Sequence, residues 1–373
     1  MSTTEFRRPR RITGRARPDP NDLEALARGE RAQSAVEEIW IDNDRQRAIL
    51  NEIRTYMRVS AGRRRSGRAP LTGRRLSQFS QAGKSAIAEQ LVREIAADAA
   101  AAGLPENPYR VVHVTIDPRM TLKMLYQEIL NRLADDFSDM PGTHAIRPTS
   151  EEAKQIRGRG RDNVKVLEQR VEEWVVKLGV ELIVVDEIQR LVARPEAVAS
   201  GSLDPRDLFT DDAMAVTRKL QAFLDRGIVP LFFIGDETSP MFFKLNKQFA
   251  ARLLQPLELK PLDVSRPADR KRFYDFCVAY DREITRRRIT SLQTCLVEED
   301  VLTGLIEASG GHIGRAARII QVALPAAMAR GAITLEAYDL SNAVRDFAME
   351  VDWVDHDPFA VVREAVQPVP ENV

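Results

Sequence analysis

Two stretches of this sequence hold residues whose types and spacing suit phosphate chemistry. In LSQFSQAGKSAIAEQ, Leu76 to Gln90, the residues Gly83, Lys84 and Ser85 close the spacing G-x-x-x-x-G-K-[ST], and Ala86 follows. Backbone N–H groups of such a loop, with the positive end of the helix behind it, bind phosphate oxygens; the lysine adds charge and the hydroxyl ligates Mg²⁺. The glycine that normally opens the spacing is replaced by Gln78. The turn out of the strand must then tolerate strained dihedrals or take another path. Gly83 and Lys84 are the residues that touch phosphate, so binding is expected to survive and the loss to fall on turnover. Further along, LIVVDE runs four apolar residues into Asp186 and Glu187. An aspartate at the tip of a buried strand can hold Mg²⁺ through water, and the adjacent glutamate can polarise the attacking water. Burying charge is costly, so carboxylates in that position rarely stand without a task. The expectation is that the ends of two neighbouring strands bring Lys84 and Ser85 to the same triphosphate as Asp186 and Glu187.

The elements that must position these groups follow from periodicity. A weak strand near Arg75 to Phe79 feeds the loop, and the helix SAIAEQLVREIAADAAAAG runs to a stop at Gly103. YRVVHVTID reads as a buried strand, followed by a helix with Leu122, Leu125, Ile129 and Leu133 on one face. A helix carrying Val164, Leu167, Val171, Trp174 and Leu178 ends at Gly179 and leads into the LIVVDE strand. After a polar insertion, Ala193 to Asp212, another helix leads into IVPLFFIGDE. Near-continuous apolar strands alternating with helices predict an α/β core with a mostly parallel sheet. From Pro267 onward helices dominate, as in a separate helical lid.

At 373 residues, 44% hydrophobic, 29% charged and 6% aromatic, the chain has an ordinary globular composition. Its apolar runs are far shorter than the roughly 18–20 residues that span a bilayer. The arginine-bearing N-terminus has no apolar region after it, unlike a secretory signal. With Cys277 and Cys295 at no metal-like spacing, the reading is a reducing cytoplasm and no membrane. His312 has no second His or Cys at metal spacing and reads as a packing or loop residue. The zero net charge hides basic blocks: six arginines from Arg7 to Arg17, eight basic residues without an acid from Arg54 to Arg75, RGRGR, and Arg286 to Arg288. Such blocks point to an anionic partner, nucleic acid before others, or to solvated surface.

The expected organisation is a flexible basic arm over 1–33, a helical segment and basic linker over 34–75, the α/β core over 76–264, the lid over 265–348 and a tail over 349–373. The tail holds DHDPF, a candidate docking motif or a solvated end.

The order SQAGKS, VVHVTIDPRMTLKMLYQEIL, GVELIVVDEIQRL, VPLFFIGDE, FAARLLQPLELKPL and GGHIGRAARIIQVA resembles the TniB family, AAA+ ATPases that regulate DDE-type transposases and are related to TnsC and, more distantly, MuB. The likeness covers Ser34 to Phe347, with DEIQ and GGxxGR its most telling parts. It implies an AAA+ P-loop ATPase core with a C-terminal α-helical lid, ATP and Mg²⁺ as cofactors, a bacterial cytoplasmic setting, and a homo-oligomer on double-stranded DNA. The implied partners are a DDE transposase and a TniQ-like adaptor. By the same resemblance Lys84 and Ser85 would meet the β/γ phosphates and Mg²⁺, and Asp186 and Glu187 would be metal holder and catalytic base. Arg252, just before an expected strand LELKPL, would be the finger offered to a neighbouring subunit, and Arg315 the lid's sensor arginine. Asp236 stands where the family has a Thr or Asn sensor, and a carboxylate beside a γ-phosphate would slow hydrolysis. Arg119, Thr121 and Lys123 in DPRMTLK would face DNA, with Arg157, Arg159 and Arg161 as further candidates. The open alternatives are another DNA-remodelling or initiator ATPase of this fold, and a scaffold that binds nucleotide with little or no hydrolysis.

Overall fold

The computed structural model describes residues 22–77, 83–135, 148–158, 161–192 and 209–360. Gln78, Arg159 and most of the polar insertion lie outside the described residues. Among the described residues, 44–77 and 84–259 cluster into one compact unit, and 22–43 with 260–360 into another.

The first unit is built on four parallel strands, β1 Arg74–Ser77, β2 Val111–Thr115, β3 Leu182–Asp186 and β4 Leu231–Gly235. Their lateral order is β1-β4-β3-β2. Every residue of β3 and β4 is buried, as expected for strands covered on both faces. The strands carrying the loop and the carboxylates are therefore not neighbours: β4 lies between them. Chain order does not fix lateral order, and the sequence expectation of adjacent strands is corrected here. The expected strand LELKPL is likewise reduced to isolated parallel bridges at the free edge of β1, Gly73 with Leu253 and Leu76 with Leu257.

Helices α3 Lys84–Ala101, α4 Leu122–Leu133, α6 Val164–Lys177 and α7 Asp211–Asp225 belong to this unit, with the short α5 Ser150–Arg157 between α4 and α6. On α4, Leu125, Ile129 and Leu133 are buried in the main core, and on α6 Leu167, Val171 and Trp174. The helix α2, Asp44–Arg65, is fixed by Tyr56, whose hydroxyl lies 2.5 Å from the Thr72 carbonyl and accepts the Leu231 N–H at 3.1 Å. The basic linker is thus shorter than expected: the helix runs through Arg65, and Arg74 and Arg75 belong to β1.

The second unit holds α10 Pro267–Arg286, α11 Glu299–Ser309, α12 Ile313–Ala329 and α13 Ala337–Ala343, with α8 Ser239–Leu245 and α9 Lys247–Ala250 remaining in the first. It also takes in α1, Leu23–Glu37. The helix starts inside the span expected to be a flexible arm, because Asp22 caps it by accepting the Glu24 and Ala25 N–H groups. Ala32 and Val36 join the core of the helical unit, and Arg28 donates to the Met328 and Ala329 carbonyls at the end of α12. The GGHIGR segment turns the chain from α11 into α12: Gly310 and Gly311 have φ of 58° and 74°. A Cβ on Gly311 would strike the Leu262 carbonyl, whose own N–H donates to the Gly311 carbonyl at 3.0 Å. Phe359 of DHDPF is fully buried against Gly304, and Asp357 accepts from the Ser341 hydroxyl at 2.6 Å, so this end of the described chain is part of the helical unit's own packing.

Candidate nucleotide site

Parallel strands present their C-terminal ends at one edge, and in open α/β sheets ligands bind outside that edge. Register puts Ser77 level with Gly235, and Thr115 level with Asp186. Gly83 has φ 90°, a backbone state open to glycine and strained for other residues. Lys84 opens α3 directly behind it, and Ser85 and Ala86 lie in the same first turn.

Lys84 is 9% exposed. Burial pulls its amine below the ordinary lysine value, while Asp236, Asp186, Glu237 and Glu187 act in the opposite sense and favour the cation. One ammonium group and the carboxylates at the tips of β3 and β4 therefore share one electrostatic neighbourhood. Asp186 is 7% exposed. Burial raises its pKa, but the His113 hydrogen bond, the Glu187 N–H and the charges of His113 and Lys84 outweigh that and leave the carboxyl below the usual range. The His113 Nε2 lies 3.3 Å from Asp186 Oδ2, and the Glu187 N–H donates to Oδ1 at 2.8 Å. Sequence reasoning missed His113. A lone histidine in a valine-rich strand forms no motif, and only the pairing of β2 with β3 brings it to Asp186.

Glu187 sits at φ 60°, ψ 36°, a left-handed conformation that costs a non-glycine residue about 1–3 kcal/mol and is found chiefly where surrounding structure imposes it. Its Oε2 accepts from Gln189 Nε2 at 2.9 Å and pairs with Arg190 Nε at 3.1 Å. The Asp236 carboxylate turns back on its own chain: Oδ1 accepts from the Thr238 N–H at 2.8 Å, its hydroxyl at 2.6 Å and the Ser239 N–H at 3.2 Å. That is an Asx turn opening α8, a local reason for an acid where a neutral sensor was expected.

The other sequence candidates have these surroundings. Arg252 Nε pairs with Asp225 Oδ1 at 2.6 Å, and its Nη1 donates to the Gln248 carbonyl at 2.6 Å. Arg315 is in the first turn of α12, in the helical unit, with its guanidinium 5.1 Å from the Trp353 ring centre. His312 occupies the N-cap position of the same helix; burial, then the Arg315 charge, lower its pKa to about 4. Arg119 is exposed, Lys123 half-buried, and the Thr121 hydroxyl is taken up as the N-cap of α4. Arg157 is exposed and donates to the Ala134 carbonyl, and Arg161 is exposed. Within the basic block of 54–75, Arg54 pairs with Glu94 and Asp98, and Arg74 with Glu52.

Mg²⁺ takes oxygen ligands and is usually held by one or two carboxylates together with substrate phosphates. A single ionised, largely buried Asp186 beside Lys84 fits an ion that arrives on a nucleotide. Among the described residues no group of three or more His, Cys, Asp or Glu side chains forms a self-sufficient metal site, and no helix is long and apolar enough to cross a membrane.

Residues 79–239 match the AAA domain family. No curated protein shows significant similarity to the chain. Among solved structures, the Aeropyrum pernix ORC1 protein in complex with DNA is similar at a TM-score of 0.52 and 14% identity, over 84% of this chain and 69% of that one. The Aeropyrum pernix ORC2 protein, solved as ADPNP-ADP complexes, is similar at 0.52 and 15%, over 84% and 71%. The fold, a parallel sheet with many helices, is the AAA+ P-loop fold.

Proposed function

We propose that this chain is an ATP-hydrolysing, DNA-binding regulator of transposition of the TniB type, which oligomerises on target DNA and engages a DDE transposase. The observation that carries the nucleotide part is the gathering of Lys84, Asp186, Glu187 and Asp236 at one edge of the sheet. Gly83 and Lys84 would hold the phosphates. Asp186 with Ser85 would hold Mg²⁺, which when bound offsets phosphate charge. Glu187 would take the proton of the attacking water. Arg252, a short step from the end of α7, would serve a neighbouring subunit's nucleotide once released from Asp225. The DNA part rests on the resemblance and on exposed basic residues, Arg119 and Arg161 among them; the DNA complex of the similarly folded ORC1 protein agrees with it.

A second reading, a nucleotide-binding scaffold with little hydrolysis, is favoured by the acid Asp236 just past the tip of β4, whose charge bears on Lys84. ATP turnover with and without duplex DNA decides between them, with Glu187→Gln as control. Turnover above the control that rises with DNA supports the first. Equal inactivity of both proteins with ATP still bound supports the second. DNA binding that requires ATP, tolerates sequence and weakens steeply with salt is the further expectation; its absence at low salt refutes the DNA part.

A further inference from the structure

The Glu187 side chain is met on one oxygen, Oε2: Gln189 Nε2 donates to it at 2.9 Å, and the Arg190 guanidinium forms an ion pair with it, Nε at 3.1 Å. Each of those side chains has its other end on a different neighbouring strand. Gln189 Oε1 accepts the Asp236 N–H, just past β4, at 3.3 Å. Arg190 Nη1 donates to the Ile116 carbonyl, just past β2, at 3.2 Å. The tip of β4 is shaped for this contact, since a Cβ on Gly235 would stand 2.9 Å from Gln189 Oε1 and 2.6 Å from Ser239 Oγ. That Ser239 hydroxyl lies 2.7 Å from both Ser77 Oγ, at the end of β1, and the Asp236 carbonyl. A line of contacts therefore runs from β1 through β4 to the carboxylate after β3, and a separate one reaches it from β2.

We propose that Gln189 and Arg190 are positioning residues for Glu187, holding Oε2 so that Oε1 is the oxygen that takes the proton of the attacking water. A glutamate side chain loses rotamer freedom on being fixed, and the left-handed backbone of Glu187 aims only its first bond. One hydrogen bond and one ion pair on the same oxygen, from side chains anchored to different strand tips, restrict the remaining torsions and tie the aim of the base to the positions of β2 and β4. The inference rests on the reading of Glu187 as the base. In the step concerned, water adds to the γ-phosphorus and its proton passes to Oε1. The bridging P–O bond breaks, and its electron pair leaves with ADP.

The test compares full-length wild type with Glu187→Gln, Gln189→Met, Arg190→Met and Arg190→Lys, measuring kcat, KM for ATP, affinity for a fluorescent ATP analogue and the thermal midpoint. Gln189→Met keeps length and loses both hydrogen bonds; Arg190→Lys keeps the charge but cannot reach Glu187 and Ile116 together. Misplacing a reacting group costs roughly 10–100-fold. The expected result is a kcat loss of that size in Gln189→Met and Arg190→Met, with KM, affinity and midpoint held and Arg190→Lys in between. Gln189→Met and Arg190→Met turning over like wild type would overturn the proposal alone. So would losses in step with affinity and midpoint, the pattern of a merely structural role. A wild type no faster than Glu187→Gln would overturn the hydrolytic reading and this inference with it.

Discussion

Replacing Asp186 by asparagine separates a working carboxylate from a structural one. A buried ion pair kept for stability costs about 3–5 kcal/mol when one partner is removed, because the other charge is left buried. Asp186 is placed differently. Its Oδ1 accepts the Glu187 N–H, a bond that the amide oxygen of asparagine reproduces. Its Oδ2 faces His113 Nε2 at the long distance of 3.3 Å, and a neutral imidazole can turn its acceptor nitrogen to an amide N–H by changing tautomer. Lys84 loses one of four carboxylates that favour its charge. The desolvation cost of the Asp186 anion, which opposes the gains from His113 and Lys84, disappears at the same time. The net change is expected to be about 1 kcal/mol or less, a thermal midpoint within about 4 °C of wild type for a unit of this size. Hydrolysis should fall by roughly 10²–10³-fold, the scale for losing one charge-stabilising group. Calorimetry of the nucleotide-free chain and a phosphate-release assay give the two numbers. A variant that loses 3 kcal/mol or more while still turning over would refute the assignment.

Tyr56→Phe leaves the buried Leu231 N–H without its acceptor, and is expected to cost about 1–3 kcal/mol in urea unfolding of the α/β unit. Phe359→Ala empties a fully buried site against Gly304 and should cost about 3–5 kcal/mol; a change below ~1 kcal/mol would return DHDPF to the solvated tail of the sequence reading. His312 has a folded pKa near 4 against an ordinary 6.5, so the unfolded chain binds its proton first. Its contribution is whole above pH 6.5 and is lost as pH falls through that value toward about 4, levelling below. His312→Gln should flatten that slope in thermal unfolding followed across the window.

What was legible in the sequence was what local chemistry dictates. LIVVD and LFFIG could be nothing but buried strands, and a glycine followed by lysine and a helical run marks a helix start. Lateral order was not legible, since nothing in LFFIG states that it separates β1 from β3. Nor was α1: its buried face is Ala25, Ala32 and Val36, too small to stand out, and it is completed only by packing on α12. The arginine block misled in part, because Arg54 and Arg74 meet acids on other elements of the fold. Charge runs in one dimension carry no record of their partners in three.

Asp236 shows how the same residue can be read in two ways that both hold. Its Oδ1 is spent on the turn ahead of α8, where it accepts the Thr238 and Ser239 N–H groups, which explains why an acid is tolerated at the tip of β4. Its charge nonetheless heads the four that favour the Lys84 cation, and hydrogen bonds within the turn do not remove charge. Around the Lys84 ammonium stand Asp186, Glu187, Asp236 and Glu237, of which Glu187 is paired with Arg190, so the acids remain in excess. A bare triphosphate would meet net repulsion from that set, since like charges at about 4 Å interact by about 4 kcal/mol even at an effective dielectric of 20. The species these side chains suit is a nucleotide that brings its own cation. If the chain hydrolyses ATP as proposed, the same surplus of negative charge would oppose the build-up of charge on the leaving phosphate, and turnover is expected to be slow.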